Sequence, residues 1–193
     1  MRGLVLLVMA LLAGCASHPL APPRQATDFC AVLGEKPHWR DPVMRTSQRW
    51  GIPPSVLLAT VFHESSYRHD ARPPRRYYLG IIPGPRPSSA YGYAQALDGT
   101  WDEYVSSNFR WFARRDDFAD ALDFVGWYHS LSMREIGLRP DDTRNLYLAY
   151  HEGRTGFLRS THLAKPWLLR YADRVALTEQ SYRQQSAYCP VTP

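Results

Sequence analysis

The run Ser55-Val56-Leu57-Leu58-Ala59-Thr60-Val61-Phe62-His63-Glu64-Ser65-Ser66-Tyr67 is apolar until it meets one carboxylate, Glu64. A carboxyl group held against apolar neighbours keeps its proton to higher pH, because burial penalises the charged form. Near neutrality such a group can still act as an acid. Pro53 and Pro54 open the segment, and Pro suits a first helical turn because its missing N–H has no intrahelical role there. The spacing predicts a helix over 54–67, with Leu57, Thr60, Val61 and Glu64 on one stripe. The plainer reading is a helix-end carboxylate that reaches water. Two later segments also combine polar and aromatic side chains: Ala90-Tyr91-Gly92-Tyr93-Ala94-Gln95-Ala96, followed by Gly99-Thr100-Trp101, and Leu148-Ala149-Tyr150-His151-Glu152-Gly153. The pairs His63-Glu64 and His151-Glu152 each start like the zinc motif H-E-x-x-H. That motif needs a second His four residues after the first, where this chain has Tyr67 and Thr155. No metal and no cofactor is expected.

The elements that must position these groups read as helices. Apolar spacing of helical type covers 42–50, 54–67, 99–108, 117–132, 143–151 and 166–184, with Pro and Gly clustered between them. Tyr77-Tyr78-Leu79-Gly80-Ile81-Ile82, with Pro on both sides, is the one strand-like stretch. The expected fold class is mainly α: a single domain over 28–193, with a small β-hairpin or extended loop near 70–90. There is no internal repeat and no Gly-rich phosphate loop.

Met1-Arg2 precedes an apolar run from Gly3 to Leu12, too short to span a bilayer and suited to a signal-peptide core. It ends in Leu12-Ala13-Gly14-Cys15, which resembles the lipobox of bacterial lipoproteins. The resemblance implies a signal peptide over 1–14 and an acylated Cys15 as the new N-terminus. With no Asp following Cys15, it also implies sorting towards the periplasmic face of the outer membrane. The stretch 16–27, with three Pro, reads as a spacer, giving a lipidated tether over 15–27. Of the three cysteines, Cys30 and Cys189 remain, and an exported compartment permits a disulfide between them. Its long loop would be worth roughly 4–5 kcal/mol in the chain-entropy model; two inert buried thiols are the alternative. Without Arg2 the 193-residue chain has 22 basic against 18 acidic side chains, nearly all the basic ones Arg. A mild positive balance suits an anionic partner. Export and the lack of a recognised motif argue against nucleic acid.

Read together, Glu64-Ser65-Ser66-Tyr67, Gly92-Tyr93-Ala94-Gln95 and Ala149-Tyr150-His151-Glu152-Gly153 resemble, in order, the three signature blocks of the soluble-lytic-transglycosylase-like family. The resemblance spans about 41–172. It implies a lysozyme-like helical fold and cleavage of the MurNAc–GlcNAc β-1,4 bond of peptidoglycan, without water, to 1,6-anhydro-MurNAc ends. By the family's logic Glu64 carries both proton transfers, as acid to the leaving oxygen and then as base to the MurNAc 6-hydroxyl. Position by position, Tyr150, Ser65 and Ser66 would support that carboxyl, and Gly92, Tyr93, Gln95 and His151 would contact the glycan strand. Tyr91, Trp101 and Tyr104 are further candidates for stacking on sugars, against a plain core role. The chain departs from the family by Tyr93-Ala94 in place of Leu-Met, by His151 in place of Asn, and by a longer link over 70–89. In that link Arg72, Arg75, Arg76, Tyr77 and Tyr78 are expected to flank the cleft and meet glycan or stem-peptide carboxylates.

Two other readings stay open on sequence alone. A lysozyme-type hydrolase would need a base for water, with Glu152, Asp98 or Asp102 as candidates if one of them folds opposite Glu64. An inactive glycan-binding envelope lipoprotein would need no acid, and Glu64 argues against it.

Overall fold

A computed structural model describes residues 20–189; Cys15 and the expected signal segment lie outside them. The chain forms α1 (Phe29–Glu35), α2 (Arg40–Trp50), α3 (Pro54–Ser65), β1 (Tyr77–Tyr78), β2 (Ile82–Pro83), α4 (Asp98–Ser107), α5 (Phe118–Ile136), α6 (Thr143–Glu152), α7 (Arg154–Leu158) and α8 (Pro166–Ser186). The six expected helices are all present. The short α1 and α7 were not expected, because neither is long enough to display an apolar period.

Helix α3 is the axis of the domain. Every side chain from Ser55 to Val61 is buried, so it is a core helix enclosed on all sides and not a one-striped surface helix. Helices α2, α5 and α8 pack on it, and α6 packs against α5 and α8. Local chemistry sets the boundaries. Asp117 caps α5 by accepting from the Asp120 backbone N–H, and Asp142 caps α6 by accepting from that of Asn145. Gly51 and Gly137, both left-handed, end α2 and α5. Helix α3 ends without a glycine: Ser66 and Tyr67 take positive φ, 52° and 60°. The fully buried Tyr67 ring fixes that turn. Its hydroxyl donates to the Leu58 carbonyl (3.1 Å) and lies 3.1 Å from the Tyr182 hydroxyl.

Strands β1 and β2 form an antiparallel hairpin pairing Tyr77 with Pro83 and Tyr78 with Ile82. The stretch expected as strand or hairpin turns at Leu79-Gly80, where both residues have positive φ. Cys30 and Cys189 are bonded, with Cα atoms 5.7 Å apart across 159 residues of sequence, tying α1 to the end of α8. The expected spacer begins to fold before its anticipated end. The Arg24 and Gln25 N–H groups donate to Glu35, and the Ala26 carbonyl accepts from Tyr182. The domain edge therefore lies near Pro23.

Candidate active site

Glu64 stands one residue before the C-terminal end of α3, where unpaired helix carbonyls make the surroundings unfavourable for an anion. Its Oε1 atom is buried and has no hydrogen-bond partner. Burial pushes its carboxyl up to about 7, and a hydrogen bond from Tyr147 opposes the rise with smaller effect. Tyr147, Tyr150 and Tyr171 all sense the Glu64 charge. Burial first, then that charge, pushes each phenol up, so all three stay protonated as donors.

These rings are placed by α6 and α8. Tyr147 and Tyr150 are one turn apart on α6, and Tyr171 on α8 stacks on Tyr147 with ring centroids 5.6 Å apart. Tyr171 donates to the His63 carbonyl (2.8 Å), which holds α8 to the end of α3. Tyr150 donates to the Ala94 carbonyl (2.6 Å). That one bond joins the third sequence block to the second, beside a carboxylate from the first.

The second block is a backbone construction. Gly92 has φ 76°, and a Cβ there would lie 2.0 Å from the Arg115 carbonyl oxygen, so the residue must be glycine. Gln95, also at positive φ, donates through Nε2 to the carbonyls of Ala71 (2.9 Å) and Gly92 (2.8 Å). Two acceptors fix the orientation of the amide. Its N–H groups are thus committed to the loop, and only its carbonyl oxygen can serve a ligand, as an acceptor.

Gln95, Thr100, Tyr128, Tyr150, His151 and Glu152 line a cavity of about 210 Å³. It adjoins a second of about 270 Å³, the two sharing Thr100, Tyr128, Glu152 and Gly153. The result is one elongated groove along the ends of α4, α5 and α6. Tyr150 is both a wall of that groove and a neighbour of Glu64.

Several expected site residues sit elsewhere. Tyr93 is buried in the core, edge-on to Trp39 (5.9 Å) and Phe118 (5.5 Å), because its backbone is pinned by the close Gly92–Arg115 approach. It is therefore not a groove residue. Ser65 turns back to donate to the Val61 carbonyl (3.1 Å), and Ser66 is the exposed left-handed residue that ends α3. Both residues shape the end of the helix. Tyr147 supplies a hydrogen bond to Glu64, while Tyr150, expected to bond or wall the Glu64 pocket, lies beside that carboxyl with its hydroxyl on the Ala94 carbonyl. Trp101 and Tyr104 are core rings, and Tyr104 donates to Asp123 (2.8 Å). Tyr91 donates to Asp116 (3.2 Å) under the Arg72 guanidinium, 4.1 Å from the ring centroid. Tyr77 and Tyr78 are exposed on the hairpin, and Arg75 donates to the Gly84 carbonyl within it.

Two of the three carboxylates considered as a second catalytic group are already engaged. Burial alone would raise Glu152, but hydrogen bonds from Lys165, Thr161 and His151 hold it down to about 2. Lys165 Nζ lies 2.7 and 3.0 Å from its two oxygens. Asp98 pairs with Arg115 at 2.8 Å, and Asp102 is exposed on α4. Among the described residues no group of three or more His, Cys, Asp or Glu side chains is placed to share a metal ion.

Tyr147 and Tyr171 escaped sequence reasoning. The available signal for Tyr147 was its i, i+3 spacing to Tyr150; Tyr171 lies in the next helix and carried none. A family model described as "Transglycosylase SLT domain" matches residues 3–189. No curated protein and no solved structure matches the chain.

Proposed function

Because the chain belongs to the transglycosylase SLT-domain family, over nearly its whole length, we propose that it is a peptidoglycan lytic transglycosylase with Glu64 as its single acid and base. The observation that carries this reading is Glu64, a half-buried residue whose Oε1 atom is enclosed without a partner: burial raises its carboxyl to about 7, opposed by one phenolic donor. A group with this proton affinity holds a proton for the glycosidic oxygen near neutral pH and can take one back afterwards. Tyr147 favours the anion left after the first transfer. The second transfer frees the MurNAc 6-hydroxyl to close on its own anomeric carbon, and an attacking group within the substrate has the advantage of proximity over water.

The state of the other carboxylates supports the non-hydrolytic route. A hydrolase of inverting or retaining type needs a second carboxylate as base or nucleophile. Glu152, at about 2 and bonded through both oxygens, is a poor proton acceptor. The groove past Tyr150 accommodates an extended strand, with the Gln95 carbonyl oxygen as acceptor and His151 on its wall; Gly92 serves it indirectly by letting the loop close. As a bacterial lipoprotein with an acylated Cys15, signal peptide 1–14 and a tether up to about Pro23, the enzyme would work at the periplasmic face of the outer membrane.

Mass analysis of products from intact sacculi tests the reaction. The expected products carry 1,6-anhydro-MurNAc ends. Reducing MurNAc ends would move the chain to the lysozyme-type hydrolases, and intact sacculi would make it a glycan-binding protein.

A further inference from the structure

Residues 109–115 read Phe-Arg-Trp-Phe-Ala-Arg-Arg and join α4 to α5. Three large rings in this stretch face solvent: Phe109 is 80 % exposed, Trp111 65 % and Phe112 96 %. Clustered exposed apolar groups rimmed by polar ones mark an interaction surface, in contrast to single scattered ones.

The loop is held in this state by its own bonds. Asp120, in the first turn of α5, accepts from the Arg110 guanidinium (2.6 Å) and from the Arg114 backbone N–H (3.0 Å). The Arg110 backbone N–H donates to the Val105 carbonyl, and that of Ala113 to the Arg110 carbonyl, both at 2.9 Å. Phe109 takes φ 55°, a left-handed conformation unfavourable for a bulky side chain. The fold therefore ties the loop to Asp120 through the Arg110 guanidinium and the Arg114 backbone and presents the rings outward. Arg114 is paired with Asp116 and Arg115 with Asp98, so the surroundings of the rings are close to electrically balanced. Aromatic rings with a Trp N–H and balanced charge suit the boundary between lipid headgroups and acyl chains.

The position of the chain's N-terminal side points the same way. Leu20 lines a cavity of about 320 Å³ together with Asp116, Asp117, Phe118 and Ala119, the residues into which this loop leads. Cys15 is five residues before Leu20, so full extension carries it no further than about 18 Å away. An acyl group on Cys15 would hold this face of the domain against the membrane that receives it.

We infer that the Phe109–Phe112 loop is a membrane-docking element that inserts its rings into the lipid interface as a second attachment beside Cys15. The inference rests on the lipid-anchor reading for its biological setting. Stable membrane attachment commonly combines two signals, so a loop of modest affinity suffices once acyl chains are in place. It would also fix the orientation of the groove relative to the membrane. The hairpin tip, with Leu79 and Ile81 exposed, is the rival surface and serves as the control in the test.

The test uses the chain secreted behind a cleavable signal, so that it folds with its disulfide and carries no acyl group. Its binding is measured by co-sedimentation with phosphatidylethanolamine/phosphatidylglycerol vesicles. Phe109→Asn/Trp111→Ser/Phe112→Ser, with Asn chosen to tolerate the left-handed site, should weaken binding by at least about 10-fold at unchanged Tm. Leu79→Ser/Ile81→Ser should leave binding as it is. The inference is overturned if the parent chain does not bind, if the loop variant binds like the parent, or if only the hairpin variant loses binding. It is equally overturned if the loop instead supports a dimer in sedimentation velocity that the loop variant abolishes. The anchor reading is decided separately, by the mass of the N-terminal peptide of native protein: an unacylated Cys15 refutes the anchor without altering the vesicle result.

Discussion

The chain has two His-Glu pairs, each at the C-terminal end of a helix: His63-Glu64 on α3 and His151-Glu152 on α6. Helix ends of this kind disfavour a carboxylate anion in both places. The outcomes are nevertheless opposite, with Glu64 raised to about 7 and Glu152 lowered to about 2. The difference lies in what later helices bring to each. Lys165, just before α8, delivers an ammonium to both oxygens of Glu152, and Thr161 adds a hydroxyl. Further along, α8 brings the Tyr171 ring beside Glu64, and α6 supplies the Tyr147 hydroxyl. The His partners differ as well. His151 reaches its own glutamate at 3.2 Å. His63 turns to Thr178 at 2.8 Å, and burial, helped by Arg174, lowers it to about 4, so it stays neutral beside Glu64. Identical dipeptides thus become a carboxyl of raised proton affinity and a structural anion, chiefly through groups brought in from outside their own helices.

The sharpest way to break this contrast is to neutralise each carboxylate in turn. Glu64→Gln keeps the shape and removes the titrating proton. Loss of both proton transfers should lower turnover of sacculi by roughly 10⁴-fold or more, with the fold intact by circular dichroism. Glu152→Gln should lower turnover far less and leave the product unchanged. Comparable losses in both variants, with hydrated ends, would show that Glu152 acts in the chemistry and not only in the groove wall.

Stability should separate the two with opposite signs. Glu64 is raised in the folded state above its unfolded value near 4.5, so the fold binds more protons and loses stability as pH rises from about 4.5 through 7. Glu64→Gln removes that penalty and should stabilise the domain at pH 8 by on the order of 2–3 kcal/mol, and by little at pH 4. Glu152 is depressed, so its contribution is present above about 4.5 and disappears as pH falls through about 2. Glu152→Gln should therefore lower Tm at neutral pH. Urea titrations of both variants at pH 4 and pH 8 read this directly, and the same sign for both at pH 8 would contradict the assigned environments.

How much of this was legible in the chain follows from the range of each cause. The helices of ten residues or more were readable because apolar spacing is local, whereas 77–82, read as one strand-like stretch within a possible hairpin or loop, turns at Leu79-Gly80. Glu64 was readable because the apolar run around it is contiguous. The reverse holds for Tyr93. It stands in a signature block, yet the close approach of Gly92 to Arg115, a contact with a loop more than twenty residues on, turns it into the core. Tyr150 was legible as a neighbour of Glu64 and Tyr147 was not, since spacing puts both on one face of α6 and only the Tyr150 bond to the Ala94 carbonyl separates their roles. Lys165, the partner of Glu152, had no sequence signal at all.

The smallest expected effect tests the finest part of the contrast, the division of labour between the two tyrosines of α6. Tyr147 donates towards Glu64 and lowers its proton affinity against the larger effect of burial. Tyr147→Phe removes that donor and should raise the Glu64 pKa further. A hydrogen bond of about 1 kcal/mol corresponds to somewhat less than about one pKa unit. If the reaction starts from protonated Glu64, as proposed, kcat/KM should fall as pH rises through about 7 in the parent, and the same limb should appear at higher pH in Tyr147→Phe. Tyr150→Phe leaves the donor to Glu64 in place and instead frees the Ala94 carbonyl, loosening the Gly92–Gln95 loop over the groove. It should raise KM while leaving the limb within a few tenths of a unit of the parent, well under the shift one hydrogen bond makes. If Tyr150→Phe moves the limb and Tyr147→Phe does not, the donor to Glu64 is Tyr150, and the phenol nearest the acid in the turnover state differs from the one that holds it at rest.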